Sequence, residues 1–290
     1  NRASLSNQSD FSWTLDNLIY YDKEFGKHSV GLTLLQSATG YHYEESSMAA
    51  EGIPLESAKW NALSKENVSL LDEWNSGLIE KQLLSYMFRA NYDYNNKYLL
   101  TVSGRWDGAS QLAEGNKWAF FPSAALGWRL DQEEFLKDVT WLNQLKFRLG
   151  VGVTGNSAID PYQTKGAIVS LYYPFGSALA PGYAASEPLI KDGAVAMANK
   201  NLSWEKTTQY NIGLDYSVLN GRISGVLDFY TSRTTDLLMA MTIPSLNGYT
   251  NTYANVGKTS NIGVDITLNT VNVKTRDFEW STSINAAWQK

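Results

Sequence analysis

The chain has 290 residues and a formal net charge of −5, with 43% hydrophobic, 13% aromatic and 18% charged residues. Charge is sparse against the roughly 25% typical of soluble domains, and the acidic balance argues against a nucleic-acid binder, which carries a basic patch. With no cysteine, neither a disulfide framework nor a thiolate metal site can form.

No stretch approaches the roughly 18 consecutive apolar residues of a transmembrane helix. Asn1-Arg-Ala-Ser-Leu-Ser lacks both an initiator Met and the basic start and apolar run of a signal peptide. The chain is expected to be a piece of something longer. A two-residue hydrophobic period marks a strand, and such segments recur from end to end. Ser12–Tyr21 and Ser29–Tyr43 flank the compact Asp22–His28, and Glu44–Leu78 reads as a long irregular loop with Trp60 and Trp74. Leu83–Tyr92 and Tyr98–Trp106 are joined by the tight-turn signal Asn95-Asn96. The polar loop Asp107–Lys117 follows.

Trp118–Leu130 and Trp141–Val153 enclose Asp131–Thr140, long enough for one helical turn. Thr154–Trp204 is the longest connection and contains Pro161, Pro174, Pro181 and Pro188. Thr208–Leu219 and Arg222–Ser232 share Asn220-Gly221, a strong hairpin signal. After the Arg233–Val256 loop come Asn261–Thr270, the short Asn272–Asp277 turn and Phe278–Gln289. The expectation is about ten strands whose connections alternate short and long. A soluble sandwich has no reason for that alternation. An outer-membrane barrel does, because short turns face the periplasm and long loops face outward.

Sorting by parity gives each strand two unlike faces. Tyr210, Ile212, Leu214 and Tyr216 oppose Gln209, Asn211, Gly213 and Asp215; Ile262, Val264, Ile266 and Leu268 oppose Asn261, Gly263, Asp265 and Thr267. In Gln144–Thr154, Leu145, Phe147, Leu149 and Val151 are expected to face lipid, and Lys146 and Arg148 an aqueous lumen. A half-exposed soluble sheet would alternate in the same way. Two details favour the membrane: aromatics near strand ends (Tyr92, Tyr98, Trp106, Trp118, Trp128, Trp141, Trp280, Trp288) suit interfacial girdles. Several strands also reach the roughly ten residues that a tilted membrane strand needs.

Asn91–Gly108, NYDYNNKYLLTVSGRWDG, followed by Phe121-Pro-Ser-Ala-Ala-Leu-Gly-Trp128, resembles the β-barrel of SusC/RagA-type TonB-dependent transporters, outer-membrane nutrient importers of Bacteroidota. The likeness continues through Glu134-Phe-Leu-Lys137, Leu145-Lys-Phe-Arg148, Gly152-Val-Thr-Gly-Asn156 and Asn201-Leu-Ser-Trp-Glu-Lys-Thr207. Gly213-Leu-Asp215, Asp228-Phe-Tyr230, Asn255-Val-Gly257 and Asn261-Ile-Gly263 extend it, so that it covers roughly Leu83 to Lys290. The resemblance implies an all-β, antiparallel up-and-down barrel of about 22 strands around a plug. It also implies a SusD-like lipoprotein cap, energy from TonB, and an oligomeric glycan or peptide as cargo. No segment resembles the plug, and residues 1–290 are expected to be about ten strands, from the middle to the late part of the barrel.

Catalysis finds little support. The two histidines, His28 and His42, have no ligand-spaced partner, so neither a metal site nor a cofactor is expected. No G-x-S-x-G, H-E-x-x-H or P-loop occurs, and the adjacent pairs Glu44-Glu45 and Glu133-Glu134 would diverge in a strand. For binding, the inferred lumen face offers Arg89, Arg105, Arg129, Lys146, Arg148, Asp215 and Asp228. These either pair across strands to order a wet wall or touch the plug or a polar solute. The loop aromatics Trp60, Trp74, Tyr172, Tyr173, Phe175 and Tyr183 could stack on sugar rings or peptide side chains, or simply pack loops against the lipoprotein. Two other readings stay open: a soluble or surface-attached all-β glycan-binding module, and a glycan-active β-sandwich enzyme.

Overall fold

The computed structural model describes residues 2–53, 56–63, 70–165, 169–175, 178–184, 196–244, 246, 249 and 251–290, leaving the side chains at 62, 70–74, 169–175, 178–184 and 196 outside the description. Strands β1 (Arg2–Phe25), β2 (His28–Glu51), β3 (Leu70–Tyr94), β4 (Tyr98–Ala109), β5 (Trp118–Arg129) and β6 (Leu142–Asn156) neighbour one another in chain order. β7 (Val169–Phe175), β8 (Ala178–Ala184) and β9 (Ala196–Met197) lie outside this sheet, which resumes with β10 (Glu205–Val218) and β11 (Ile223–Thr235). β12 (Leu238–Thr242) and β13 (Asn251–Asn255) are again outside it, and β14 (Lys258–Lys274) and β15 (Glu279–Gln289) complete it. The result is one ten-stranded sheet in which every neighbour is the next sheet strand along the chain. The expected strand number and up-and-down order are both met.

The short connections turn where the sequence signals them. Asn95 and Asn96 adopt φ of 57° and 54°, and Leu219, Asn220 and Gly221 adopt 56°, 56° and 78°. Asn and Gly tolerate this left-handed region, which suits the right-handed twist of paired strands. The β5–β6 connection, expected to hold one helical turn at Asp131–Thr140, carries two short 3₁₀ turns, Leu130–Gln132 and Glu134–Leu136.

Three expected loops are more ordered than period-two reading suggested. Glu44–Leu78 is strand at both ends, because β2 runs on to Glu51 and β3 starts at Leu70. Between them a 3₁₀ segment, Glu56–Ala62, kinks at Lys59. Thr154–Trp204 carries the β7–β8 hairpin and β9, and Arg233–Val256 carries β12 and β13; β12, β13 and β9 form a separate small sheet. A strand wetted on both faces has no hydrophobic period, so reading by apolar alternation stops before the backbone pairing does.

The chain divides into two compact units, residues 1–16 with 37–84, and residues 17–36 with 85–290. The first is knit by polar side chains: Tyr41 donates to Asp10 (3.2 Å), Tyr43 to Glu45 (2.7 Å), and Asn75 to Glu45 (3.2 Å). The Trp13 indole lies over Gly40, where any Cβ would collide with it. Its small dry centre is Ala49, Ala50 and Ile53.

In the second unit the register holds each face in rows. Leu100, Leu126, Leu149, Ile212, Phe229 and Val264 are successive cross-strand partners, as are Gly127, Arg148, Gly213, Asp228 and Asp265. The first row is apolar throughout and the second carries Arg148, Asp228 and Asp265. Pro122 marks where β5 leaves β6: their pairing stops at Ser123, while pairing with β4 continues to Gly108↔Trp118. A proline has no N–H to give the ladder.

Candidate functional site

The polar row centres on Arg148. Its Nε lies 3.0 Å and its Nη2 2.8 Å from Oδ1 of Asp215 on β10, and its Nη2 reaches Asp228 Oδ1 on β11 at 3.0 Å. One guanidinium therefore ties three strands together, with a fork matched to carboxylate oxygens. Gly213 makes this possible: it is the residue between Arg148 and Asp228 in the row, and a Cβ there would lie 2.6 Å from the Arg148 Nη2 and 2.5 Å from Asp228 Oδ1. The three side chains are 22–30% exposed, so solvent screens the pairs in part. Two aspartates on one arginine leave a net negative cluster, next to Asp265 in register.

Beside it, β4, β5, β6 and β10 line a shallow depression of about 200 Å³, with Ala125, Gly127 and Gly150 among its lining residues and Leu99, Thr101, Lys146, Arg148 and Asn211 around them. Small residues let a ligand or another backbone approach the wall closely.

The other expected lumen residues do not join this cluster. Lys146 is the cross-strand partner of both Asp215 and Arg129, yet has no ion pair among the described residues. Arg105 donates to Asp107 on its own strand (2.7 Å) and to Ser85 (2.9 Å), and Arg129 donates to Asp131 (2.7 Å). Arg89 is exposed on β3. Of the aromatics, Trp60 is exposed, with Lys59 Nζ 5.6 Å from its ring centroid. Tyr172, Tyr173, Phe175 and Tyr183 fall on the β7–β8 hairpin and Trp74 on β3, and their side chains lie outside the described residues.

His28 Nδ1 is hydrogen-bonded to the Tyr92 hydroxyl (2.7 Å), and His42 sits between Glu44 and Glu80 at 3.1 Å from each. No cluster of three or more His, Cys, Asp or Glu suited to a metal ion occurs among the described residues.

Two structural centres escaped sequence reasoning. At the long-connection end, Ala109, Leu112, Ala113, Phe121, Ile159, Leu202 and Trp204 are buried together in the second unit. Phe121 meets Trp204 edge-on at 5.2 Å and its ring occupies the space over Gly155, while Trp204 Nε1 donates to the Lys117 carbonyl (2.8 Å). Asn255 bridges the neighbouring loops, with Nδ2 donating to the Ser203 and Asp236 carbonyls and Oδ1 accepting from Ser203 N–H. The run from Asn201 to Thr207 carries a tryptophan off the apolar period, which was the available signal.

At the short-turn end, Glu133 accepts from the Tyr98 hydroxyl (2.7 Å), Trp128 Nε1 (2.9 Å) and Lys97 Nζ (3.1 Å). The bonds from Tyr98 and Trp128, against some opposing desolvation, together with Lys97, hold this carboxyl below the usual Glu range. Burial pushes the neighbouring Asp131 carboxyl up, but hydrogen bonds from Arg129, Gln132 and the Leu145 N–H outweigh it and hold that group low.

The apolar face shows a regularity that the sequence already contained. Tyr98 and Trp106 on β4, Phe120 and Trp128 on β5, and Trp280 and Trp288 on β15 are each eight residues apart on one face. Eight residues span ~27 Å along a strand, or ~20 Å across a membrane at the tilt of a barrel strand. Between these rings the exposed side chains include Leu100, Val102, Leu126 and Ile284. Rings also stack along the sheet, Tyr94 on Tyr98 (6.4 Å) and Tyr98 on Trp128 (6.5 Å) at one end, and Trp106 on Phe120 (4.2 Å) at the other.

A chain whose sheet has one charged and one aromatic-bordered apolar face, and whose neighbouring strands follow chain order, matches a known family. Residues 1–290 fit the description TonB dependent receptor-like, beta-barrel. The chain belongs to that family. TonB-dependent receptor P26 of Formosa agariphila is 34% identical over 286 residues, 97% of this chain and 28% of that protein. TonB-dependent receptor SusC of Bacteroides thetaiotaomicron is 39% identical over 240 residues, 79% of this chain and 22% of SusC. The chain thus spans about a quarter of the length of these curated relatives. The structure titled RagAB peptide transporter superposes with a TM-score of 0.86 at 24% identity, over 99% of this chain and 30% of that one, a likeness of fold. The ten-stranded sheet of this TonB-dependent receptor chain is a segment of an antiparallel up-and-down barrel. Its curated relatives are named TonB-dependent receptors.

Proposed function

We propose that this chain is part of the barrel wall of an importer in a Gram-negative, Bacteroidota-like outer membrane, taking up an oligomeric glycan or peptide. Residues 1–290 belong to the barrel; the plug and the segment that meets TonB come from elsewhere in the full-length protein. A SusD-like surface lipoprotein meets the long-connection end, and transport proceeds by capture and gated passage with no covalent chemistry.

The observation that carries this reading is the opposition of the two faces. Leu126, Ile212, Phe229 and Ile284 are about half exposed, which costs free energy in water and gains it against acyl chains. The Arg148–Asp215–Asp228 cluster, behind the same backbone, suits a wet lumen. The depression beside it leaves room for plug or cargo, and Trp60, together with Trp74 on β3 and Tyr172, Tyr173, Phe175 and Tyr183 on the β7–β8 hairpin, is assigned to cargo or lipoprotein. The peptide named for RagAB supports an oligomeric cargo.

The test uses the full-length protein with its lipoprotein. Uptake of labelled oligosaccharides and oligopeptides is measured in wild-type and gene-deleted cells, with and without TonB. TonB-dependent uptake of one oligomer class that is lost on deletion is the expected result. Partition of the full-length protein into detergent-free buffer would overturn the reading.

A further inference from the structure

One aromatic does not fit the two-faced wall. Phe135 lies in the β5–β6 connection, off every strand, and at 69% it is the most exposed aromatic among the described residues. Its neighbours set its level. A Tyr hydroxyl and a Trp N–H at a membrane surface mark the depth where hydrocarbon gives way to headgroups, because each ring wants an apolar body and a wet tip. Tyr98 and Trp128 are stacked at the short-turn end of the apolar face, and both polar tips are taken by the carboxylate of Glu133, with the Lys97 ammonium on its other oxygen. Glu133 therefore occupies the headgroup position over these two rings. Phe135 is two residues further along, at most ~7 Å of chain away.

We propose that the β5–β6 connection is a lipid-docking foot, in which Glu133 clamps the turn to the aromatic belt so that Phe135 enters the inner phospholipid leaflet. The occupant is the leaflet itself, because the site is continuous with the belt and the bare phenyl ring has no polar tip to present to water. Trp141, exposed at the far end of the same connection, accepts a hydrogen bond at its carbonyl from the Leu219 N–H (2.7 Å), and Leu219 is itself exposed. The apolar margin therefore runs on to the β10–β11 turn. The inference rests on the outer-membrane reading above and adds to it a contact made by a turn.

The experiment labels single cysteines with a nitroxide in the full-length protein reconstituted in phospholipid vesicles, any native cysteines having been replaced by serine. Label positions are Phe135→Cys, Leu126→Cys on the apolar face and Glu114→Cys in the polar β4–β5 loop. Relaxation by oxygen, which concentrates in lipid, is compared with relaxation by a water-soluble nickel chelate. The Phe135 label is expected to match Leu126, with an oxygen-to-nickel ratio several-fold above that of Glu114. Adding Glu133→Ala to Phe135→Cys should pull that ratio towards the Glu114 value. A Leu126 label in lipid with a Phe135 label in water overturns the foot and leaves the membrane reading standing. That is also the result expected if Phe135 serves a periplasmic protein partner. Water-like behaviour at both overturns both.

Discussion

The middle of the sheet and the cluster at its long-connection end are held together by different physics. In the middle, between β4 and β14, large apolar side chains remain exposed, Leu126 at 53% and Phe229 at 54%. Stability there comes from backbone ladders, from charged groups satisfied across strands, and from whatever solvent the apolar face meets. At the loop end, Leu112 and Leu202 are at most 1% exposed and Trp204 is 5% exposed, which is an ordinary hydrophobic core. A barrel wall needs no core of its own, whereas its loops, which meet water, do.

The largest expected effect lies in the core. Trp204→Ala removes the ring against Phe121 and the donor to Lys117 carbonyl, and Trp→Ala in a packed site costs about 3–5 kcal/mol. The loss should be local: limited proteolysis should cut at 110–117 and 157–165 in the variant, while the sheet remains heat-resistant in detergent. Equal loss of the sheet would erase the distinction between the two regions.

Within the wall, adjacent residues on opposite faces should respond unequally. Leu149, between Leu126 and Ile212 in its row, is a sharper probe of the apolar face than Phe147, which pairs with Trp128 of the aromatic belt. Leu149→Arg should cost about 2–4 kcal/mol if it lies near the bilayer midplane, read as failed assembly into vesicles. Arg148→Gln should cost about 1–2 kcal/mol, because its ion pairs are partly solvated. Comparable losses would mean that the faces are misassigned.

Gly213→Val should cost about 1–3 kcal/mol, since either Arg148 or Asp228 must withdraw and leave a charge unpaired. In an Arg148→Gln background most of that cost should vanish, a coupling that unfolding midpoints in detergent can measure. The smallest effect concerns Glu133. Its folded-state pKa is depressed, so its contribution is present above the ordinary Glu value of about 4.3 and is lost as pH falls through the lower folded value. The difference in Tm between wild type and Glu133→Gln should hold steady from about pH 8 to about pH 5 and shrink below about pH 4.

Sequence periodicity located the ten sheet strands because each has one apolar face, and the alternation of connection lengths gave their order. It understated β1, β2 and β3, whose far ends carry residues such as Glu45 and Asn75 that satisfy one another in place of packing. It gathered Arg148, Asp215 and Asp228 onto one face, since parity alone does that. It could not show that they meet, because contact depends on register across three strands and on the missing side chain at Gly213.

What the sequence by itself determined was therefore local: which residues alternate, where the chain turns, and that two unlike faces result. The i, i+8 spacing of aromatics on β4, β5 and β15 belongs to the same class, since a strand's length and side-chain period are written in order along it. The tertiary structure alone decided which distant groups share one atom's reach. Glu133 drawing together Lys97, Tyr98 and Trp128, and Trp204 seated beside Phe121 over Gly155, join residues 5 to 83 positions apart. No period in the sequence encodes such meetings, because they depend on how neighbouring strands are staggered.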